Sequence, residues 1–275
     1  MLQLILGKTG YGKTEYVQNL IKDLSKTKDI IFLVPDQVGF NMERDIINIC
    51  PAHQAAKVKV FTFQRLAEDV FRTYGSISEK RIDDNGRNLL MSLAISDCTD
   101  SLEMYSSSAK AGRLTKLMLD VVKAFKSSQI TPEDLFELVF TLEQKGLKNK
   151  IKEIALVYQS FMARLENVYI EPWDILTKTS EILNQNDYFK DKILIIDGFE
   201  VFDKEKFAII KRAIGQCEMV YATLCCEDVY SDKTANIFTY IENTGKTLIA
   251  LAKEENIKVY HLFSLKRGID LLILI

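Results

Sequence analysis

Apolar and polar positions follow two alternating patterns over the first 75 residues. Short apolar runs typical of buried strands occur at residues 2–6, 29–35 and 58–63. Between them, apolar residues recur three and four positions apart, as on one face of a helix, over residues 14–26, 41–49 and 64–74. Strands that alternate with helices predict a parallel sheet with helical crossovers.

From about residue 76 to residue 190 the strand pattern disappears and amphipathic helices replace it. They are predicted at residues 113–126, 131–141 and 148–168. The second of these helices has Thr131 as its N-cap and Pro132 at its first position, and Asp134 lies in its first turn. We expect this whole stretch to be helical.

Residues 192–226 return to strand, turn, helix and strand, and the alternation continues to about residue 263. The simplest architecture is therefore one α/β domain that an all-helical insertion interrupts. The first part of the α/β domain is residues 1–75, the insertion is residues 76–190, and the second part is residues 191–263. Residues 264–275 are apolar without a stop signal and remain unassigned.

The first predicted strand leads into a loop with the spacing GxxxxGK[ST], known as Walker A, in which Gly7 is followed by Gly12, Lys13 and Thr14. In such a loop the backbone N–H groups surround phosphates, the lysine reaches the outer phosphates and the hydroxyl reaches magnesium. The helix that follows fits this role, because helix N-termini bind phosphate. A glycine-rich turn with an exposed lysine is the alternative. The expected nucleotide-binding residues are Gly7, Lys8, Thr9, Gly10, Tyr11, Gly12, Lys13 and Thr14.

Asp197 is the candidate metal ligand. Four apolar residues form a predicted buried strand that ends at Asp197, where a carboxylate would lie beside the phosphate loop in a doubly wound sheet. This is the Walker B position, and we expect Asp197 and Thr14 to hold Mg²⁺. Alternatively, Asp197 and Gly198 form only the turn that often follows a strand.

Composition narrows the classes of function. The 275 residues are 47% hydrophobic, enough for one large domain or two small ones. The net charge of -2 does not indicate a strongly basic nucleic-acid binder, so any DNA contact depends on local patches. No basic leader precedes an apolar stretch, and the longest apolar run, "LLILI", is too short to cross a bilayer. We expect a cytoplasmic protein without membrane contact.

The five cysteines and two histidines do not have metal-site spacing, since no CxxC pair is present. We expect most of the cysteines to be reduced and buried.

Four segments, in this order, resemble the amino-terminal part of the AddB family. They are "GKTGYGKTE", "IIFLVPDQVGFNME", "VFTFQRLAEDVF" and "ILIIDGFEVFDKEKFAIIKRAI". AddB is the second subunit of the AddAB helicase-nuclease, which processes broken DNA ends. The resemblance implies a RecA-like P-loop α/β domain of the UvrD-like helicase type, with ATP and magnesium as ligands. It also implies two partners, DNA and an AddA-like helicase subunit in a heterodimer.

The same resemblance implies where single-stranded DNA is bound. Residues 33–37 and 61–67 correspond to loops that contact DNA in UvrD-like helicases. The Thr62 hydroxyl and the Gln64 amide can hydrogen-bond to phosphate oxygens, and Arg65 adds positive charge. Phe61 or Phe63 could stack on a base. Phenylalanines that alternate with other apolar residues are, however, more typical of a core. The implied DNA contacts are Thr62, Phe63, Gln64 and Arg65.

The residue after Asp197 predicts weak hydrolysis. UvrD-like helicases have a glutamate there, which polarises the attacking water, whereas this chain has Gly198. Glycine has no group that orients water, so the resemblance implies ATP binding with little turnover. Glu200 would lie about 6 to 7 Å further along an extended chain, too far to substitute unless the chain bends sharply.

One predicted helix has a basic outer face. Its only acidic residue is Asp120, and its apolar stripe faces the other way. Such a face ordinarily serves solubility, and contact with the DNA backbone is the alternative. The basic residues are Lys110, Arg113, Lys116, Lys123 and Lys126.

Members of the AddB family are much longer, with a second helicase-like half and a carboxy-terminal nuclease domain whose cysteines hold an iron-sulfur cluster. We therefore expect a fragment with neither nuclease nor cluster. Two other classes of protein stay open. A freestanding P-loop kinase or NTPase acting on a small molecule would use the helical region as a cap, but no arginine-rich lid is evident. A structural module would hold ATP as a fixed ligand and bind a partner helicase.

Overall fold

The structure is a computed structural model that describes residues 1–75, 80–106, 113–128, 130–166, 168–172, 174–230, 238–263 and 271–274. Contacts divide the chain into two compact units. Unit 1 consists of Met1–Ser76 and Ile175–Ile275, and unit 2 of Ile77–Asp174.

Unit 1 contains a seven-stranded sheet, and unit 2 contains a two-stranded parallel ladder that the sequence did not predict. The strands of unit 1 are β1 (Leu2–Leu6), β2 (Asp29–Leu33), β3 (Val58–Phe61), β6 (Lys192–Ile196), β7 (Met219–Leu224), β8 (Val259–Phe263) and β9 (Leu271–Leu274). Those of unit 2 are β4 (Lys80–Arg81) and β5 (Tyr169–Ile170). The spatial order is β3-β2-β6-β7-β1-β8-β9, and only β9 is antiparallel to its neighbour. The predicted parallel sheet is confirmed, with β9 as an antiparallel addition.

Helices cover both faces of this sheet. Those of unit 1 are α1 (Lys13–Leu24), α2 (Gly39–Ile49), α3 (Ala52–Ala55), α4 (Phe63–Tyr74), α9 (Ile175–Gln185), α10 (Lys204–Gln216) and α11 (Thr239–Glu254). Those of unit 2 are α5 (Asp84–Cys98), α6 (Leu114–Ser127), α7 (Pro132–Thr141) and α8 (Lys145–Leu165). The first three predicted helices match α1, α2 and α4 to within one or two residues at each end.

The strands read as continuous apolar runs because both faces of the sheet are covered. All five residues of β1 are buried. Leu4 belongs to a core cluster that includes residues of α10 and α11, whereas Ile5 packs with Val17 and Ile21 of α1 in the other cluster. Successive side chains therefore enter different apolar layers.

The start of α7 has the capping arrangement that the sequence predicts. The Thr131 hydroxyl accepts a hydrogen bond from the Asp134 N–H, and the Asp134 carboxylate accepts one from the Thr131 N–H. Pro132 occupies the first turn, where its missing N–H costs nothing. These caps, together with the amphipathic pattern, explain why this helix is predictable from local residues.

Helix α9 lies in unit 1, although its residues fall within the predicted insertion, residues 76–190. It packs against α4 and α10. A helical pattern identifies a buried face without specifying which core buries it, so periodicity alone does not locate this boundary.

A buried carboxylate links three segments of unit 1. Asp69 of α4 is 3% exposed and accepts hydrogen bonds from Lys59, Arg72 and the Tyr188 hydroxyl. Burial alone would raise the pKa of Asp69, but hydrogen bonds from Tyr188, Lys59 and Arg72 outweigh it and lower the pKa. Burial and the neighbouring Asp69 raise the pKa of the Tyr188 hydroxyl.

Stability should therefore depend on pH through Asp69. Because its folded-state pKa is lowered, its contribution is present above the unfolded-state pKa, about 3.9, and is lost as the pH falls through the folded-state pKa. Asp69→Asn should destabilise unit 1 by about 2 kcal/mol at pH 7, and this difference should shrink below about pH 4. Urea unfolding between pH 7 and pH 3 measures it, with the exposed Asp36→Asn as control. A difference that does not vary with pH would exclude the ionised network.

Candidate functional site

Two glycines shape the loop between β1 and α1. Gly10 and Gly12 have φ angles of 85° and 83°, in the left-handed region that favours glycine. Gly12 is the N-cap of α1 and contributes no side-chain hydrogen bond to the first helical N–H groups. These donors have no partner within the helix and lie at its positive end. The local backbone is therefore suited to an anion.

Side chains of the loop are held by the loop itself and by the segment after β7. Lys13 Nζ donates to the carbonyl oxygens of Gly7 and Lys8, the latter at 3.0 Å. Lys8 pairs with Glu227 at 2.9 Å, and this hydrogen-bonded ion pair raises the pKa of Lys8. Thr9 Oγ1 lies 3.3 Å from Cys225 Sγ. Lys8 therefore pairs with a carboxylate, whereas Lys13 is bonded to carbonyl groups of the loop.

Asp197 lies at the carboxyl end of β6 and is 9% exposed. Strand β7 separates β6 from β1, so Asp197 and the loop lie at the same edge of the sheet, one strand apart. The Asp197 N–H donates to the Leu33 carbonyl at 3.0 Å, and the Thr223 hydroxyl of β7 donates to Asp197 Oδ1.

A cavity of about 610 Å³ joins these residues, within the size range of small-molecule sites. It brings together the predicted Lys13, Thr14 and Asp197. Its lining comes from the loop and α1 (Thr9, Gly10, Gly12, Lys13, Thr14, Glu15), the segment after β2 (Val34, Pro35, Val38, Met42), the segment after β6 (Asp197, Gly198, Phe199, Glu200) and β7 with the residues after it (Thr223, Cys225).

The chemistry of this lining fits a magnesium-bound phosphate ester. The Thr14 hydroxyl and the Asp197 carboxylate are the hard oxygen ligands that Mg²⁺ prefers. The Lys13 ammonium and the N-terminus of α1 provide positive charge for phosphate oxygens. Val34, Pro35 and Met42 form an apolar wall of the cavity beside the segment after β6.

The chain bends sharply directly after Asp197. Gly198 has a φ of 81°, and a Cβ atom there would lie 3.3 Å from Pro35 Cδ. Beyond the bend, Glu200 lines the cavity, and its carbonyl oxygen accepts a hydrogen bond of 2.8 Å from the Thr244 hydroxyl. On an extended strand Glu200 would lie too far from the site. Because the chain bends at Gly198, Glu200 lines the cavity instead. Glu200 is thus a cavity residue that the sequence pattern undervalues.

The four residues implied to contact DNA differ in their environments. Thr62 is the N-cap of α4, and its hydroxyl accepts from the Arg65 N–H at 3.4 Å. Gln64 is exposed, and the guanidinium of Arg65 pairs with Glu43. Phe63 is only 5% exposed and belongs to the core.

The ring of Phe63 packs edge-on against Phe199 and Phe202, with centroids 5.5 and 6.1 Å away. Because Phe63 is buried in the core beside these rings, it is not placed to stack on a base, and we remove it from the set of DNA contacts.

One exposed aromatic residue close to Thr62 is not among the predicted DNA contacts. Phe40, in the first turn of α2, is 77% exposed. The preceding Gly39 lies against Thr62, since a Cβ atom at Gly39 would lie 3.4 Å from Thr62 Cγ2. An apolar residue at a helix start gives no signal of whether it faces outward, so sequence alone could not identify Phe40.

Helix α6 is less basic on its outer face than its sequence predicts. Lys126 pairs with Glu171 and Asp174, at 2.6 Å each, and burial raises the pKa of Glu171. Lys116 and Lys123 line a cavity that acidic residues share. Lys110 lies outside the described residues, and Arg113 is exposed. Carboxylates outside the helix therefore offset the charge of Lys126, which the sequence of the helix alone does not reveal.

Taken together, the sheet order and the loop define an α/β domain with a mostly parallel sheet and a glycine-rich loop after one of its inner strands. The chain belongs to the AddB N-terminal family, since the family model described as "ADDB, N-terminal" matches residues 4–268. The resemblance identified from the four sequence segments is thereby confirmed.

Three relatives, each named as a subunit of an ATP-dependent helicase/deoxyribonuclease, illustrate the similarity. That of Clostridium kluyveri (strain NBRC 12016) is 31% identical over 262 residues, which cover 93% of this chain and 23% of the relative. That of Clostridium botulinum (strain Hall) is 29% identical over 264 residues, 94% of this chain and 23% of the relative. That of Thermoanaerobacter sp. (strain X514) is 26% identical over 273 residues, 98% and 24% respectively. The chain thus spans about a quarter of the length of these relatives.

Within the described ranges, none of the helices is both long enough and apolar enough to cross a membrane.

Proposed function

We propose that this chain is an ATP-binding, helicase-like region of an AddB-type protein, and that it binds ATP with magnesium in the cavity beside the loop. The observation that carries this proposal is the convergence of Lys13, Thr14 and Asp197 on one cavity. The relatives' name, which specifies an ATP-dependent enzyme, supports the choice of nucleotide. Family membership also favours this function over a freestanding kinase.

Each residue has a distinct part in this proposal. The loop N–H groups and the N-terminus of α1 bind the phosphates, and Lys13 exchanges its bonds to loop carbonyls for bonds to the outer phosphates. Thr14 and Asp197 would hold magnesium, which when bound neutralises phosphate charge. The apolar wall at Val34 and Pro35 limits water on one side of the cavity.

Removing the loop lysine should separate nucleotide binding from folding. Lys13→Ala should weaken ATP binding about 10- to 100-fold, because charged hydrogen bonds to phosphate are lost while the backbone remains. The measurement is the rise in melting temperature with ATP and Mg²⁺, and Lys22→Ala, an exposed lysine on the same helix, is the control. Equal nucleotide-dependent shifts in wild type and Lys13→Ala would rule out the loop as the binding site.

Single-stranded DNA is the second proposed ligand, and it would lie on the start of α4, directly after β3, with Gln64 and Arg65 as contacts. Both side chains are exposed at the carboxyl edge of the sheet, and the Thr62 cap fixes the backbone that carries them. The relatives' name supports DNA as the substrate and implies assembly with another subunit, which we propose is an AddA-like helicase. We also propose a cytoplasmic location, because a protein that processes broken DNA ends acts where the DNA lies.

Replacing both contacts should test this surface. Gln64→Ala with Arg65→Ala should reduce binding of a fluorescent oligonucleotide several-fold and flatten its salt dependence, because a phosphate contact is lost. Lys253→Ala, which removes one exposed positive charge from α11, is the matched control. If the double variant binds as wild type does, the contact lies elsewhere.

We further propose that the bound ATP is hydrolysed poorly. Gly198 follows Asp197 directly, so no side chain there can orient water. Turnover should stay near background with or without DNA, and a DNA-stimulated rate of about 1 s⁻¹ would contradict this. Glu200→Gln shows whether any residual turnover uses the carboxylate beyond the bend. Gly198→Glu is a poor test, since its φ and Pro35 both oppose a side chain.

A further inference from the structure

Strand β7 lies between the strand that leads into the loop and the strand that ends at Asp197. Its register pairs Thr223 with Ile5 of β1 on one side and Ala222 with Ile196 of β6 on the other. Thr223 is therefore level with Asp197, one position beyond the last β6 pair. It also lines the cavity that contains Lys13 and Thr14.

The Thr223 side chain is buried, at 5% exposure, in an otherwise apolar part of β7. A buried hydroxyl costs free energy unless it is hydrogen-bonded. Here the hydroxyl donates to Asp197 Oδ1. A valine would fill the same space and suit a strand that is covered on both faces. Packing alone therefore does not explain the hydroxyl of Thr223, whereas its hydrogen bond to Asp197 does.

The hydrogen bond fixes one of the two carboxylate oxygens of Asp197. The backbone of the same residue is held as well, through its N–H to the Leu33 carbonyl. Among the residues that the structure describes, none donates a hydrogen bond to Oδ2. One oxygen is thus bonded to the protein and the other is left for a ligand.

We propose that Thr223 is a positioning residue, which orients the Asp197 carboxylate so that Oδ2 is available to magnesium while Oδ1 is held by β7. This rests on the proposed function, because it assumes that Asp197 meets a nucleotide-bound metal. Groups that hydrogen-bond to a metal ligand restrict its orientation, and their loss typically costs 10- to 100-fold in metal affinity. Thr223 itself contacts neither metal nor phosphate in this role.

The experiment compares the magnesium dependence of nucleotide binding in three proteins. Binding of a fluorescent ATP analogue is titrated in EDTA and across a range of Mg²⁺ concentrations for wild type, Thr223→Val and Thr223→Ser. In Thr223→Val, which keeps the shape and loses the hydroxyl, the Mg²⁺ midpoint should rise about tenfold. Thr223→Ser, which keeps the hydroxyl, should resemble wild type. Affinity in EDTA should be the same in all three, because the loop is unchanged.

The outcomes separate this inference from the proposed function. If wild type does not bind the analogue at all, the proposed function fails and the inference fails with it. If wild type binds with a clear Mg²⁺ dependence and Thr223→Val has the same midpoint, only the inference is overturned. Equal weakening in EDTA and in Mg²⁺ also overturns it, since the hydroxyl would then support the loop. Circular dichroism verifies folding, and Thr223→Ala replaces the valine variant if that variant does not fold.

Discussion

The parallel pairing of β7 with both β1 and β6 is the interaction on which the candidate site depends. This pairing fixes the positions of the loop and Asp197 relative to each other along the strand direction, because both follow strands that pair with β7. A slip of β7 by one residue would turn Thr223 to the opposite face and move it by about 3.3 Å. The two core clusters on either side of the sheet oppose such a slip, since it would exchange buried side chains between them. Packing far from the cavity thus determines its geometry.

Within this frame, electrostatics is arranged differently at the two ends of unit 1. Asp69 is buried with three donors around it, so its charge is compensated by the protein alone. Asp197 is almost as buried but receives one side-chain hydrogen bond, from Thr223. A carboxylate with fewer internal partners gains more from an external cation. The same contrast applies to the lysines, since Lys8 has a carboxylate partner whereas Lys13 bonds to carbonyl groups.

Much of the fold could be predicted from sequence because the signals are local. The run at residues 2–6, the glycines of the loop and the Thr131 cap each specify their own conformation. What could not be predicted depends on long-range contacts. Helix α9 resembles the helices of the insertion but is buried by α4 and α10. Phe63 fits a loop motif, yet its ring lies against Phe199 and Phe202, which are more than 130 residues away in sequence. Thr223 carries no motif, and only the sheet order places it beside Asp197.

The contact between Gly198 and Pro35 has an evolutionary consequence. A glutamate at position 198 would have to adopt an unfavourable φ and displace the proline ring of the neighbouring segment. Replacing Pro35 would relieve the contact but not the φ of position 198, so an acidic side chain directly after Asp197 also requires a change in the local backbone. The effect of a substitution at position 198 therefore depends on the residue at position 35, which is a form of epistasis between two segments distant in sequence. We expect this dependence to disfavour single substitutions at position 198.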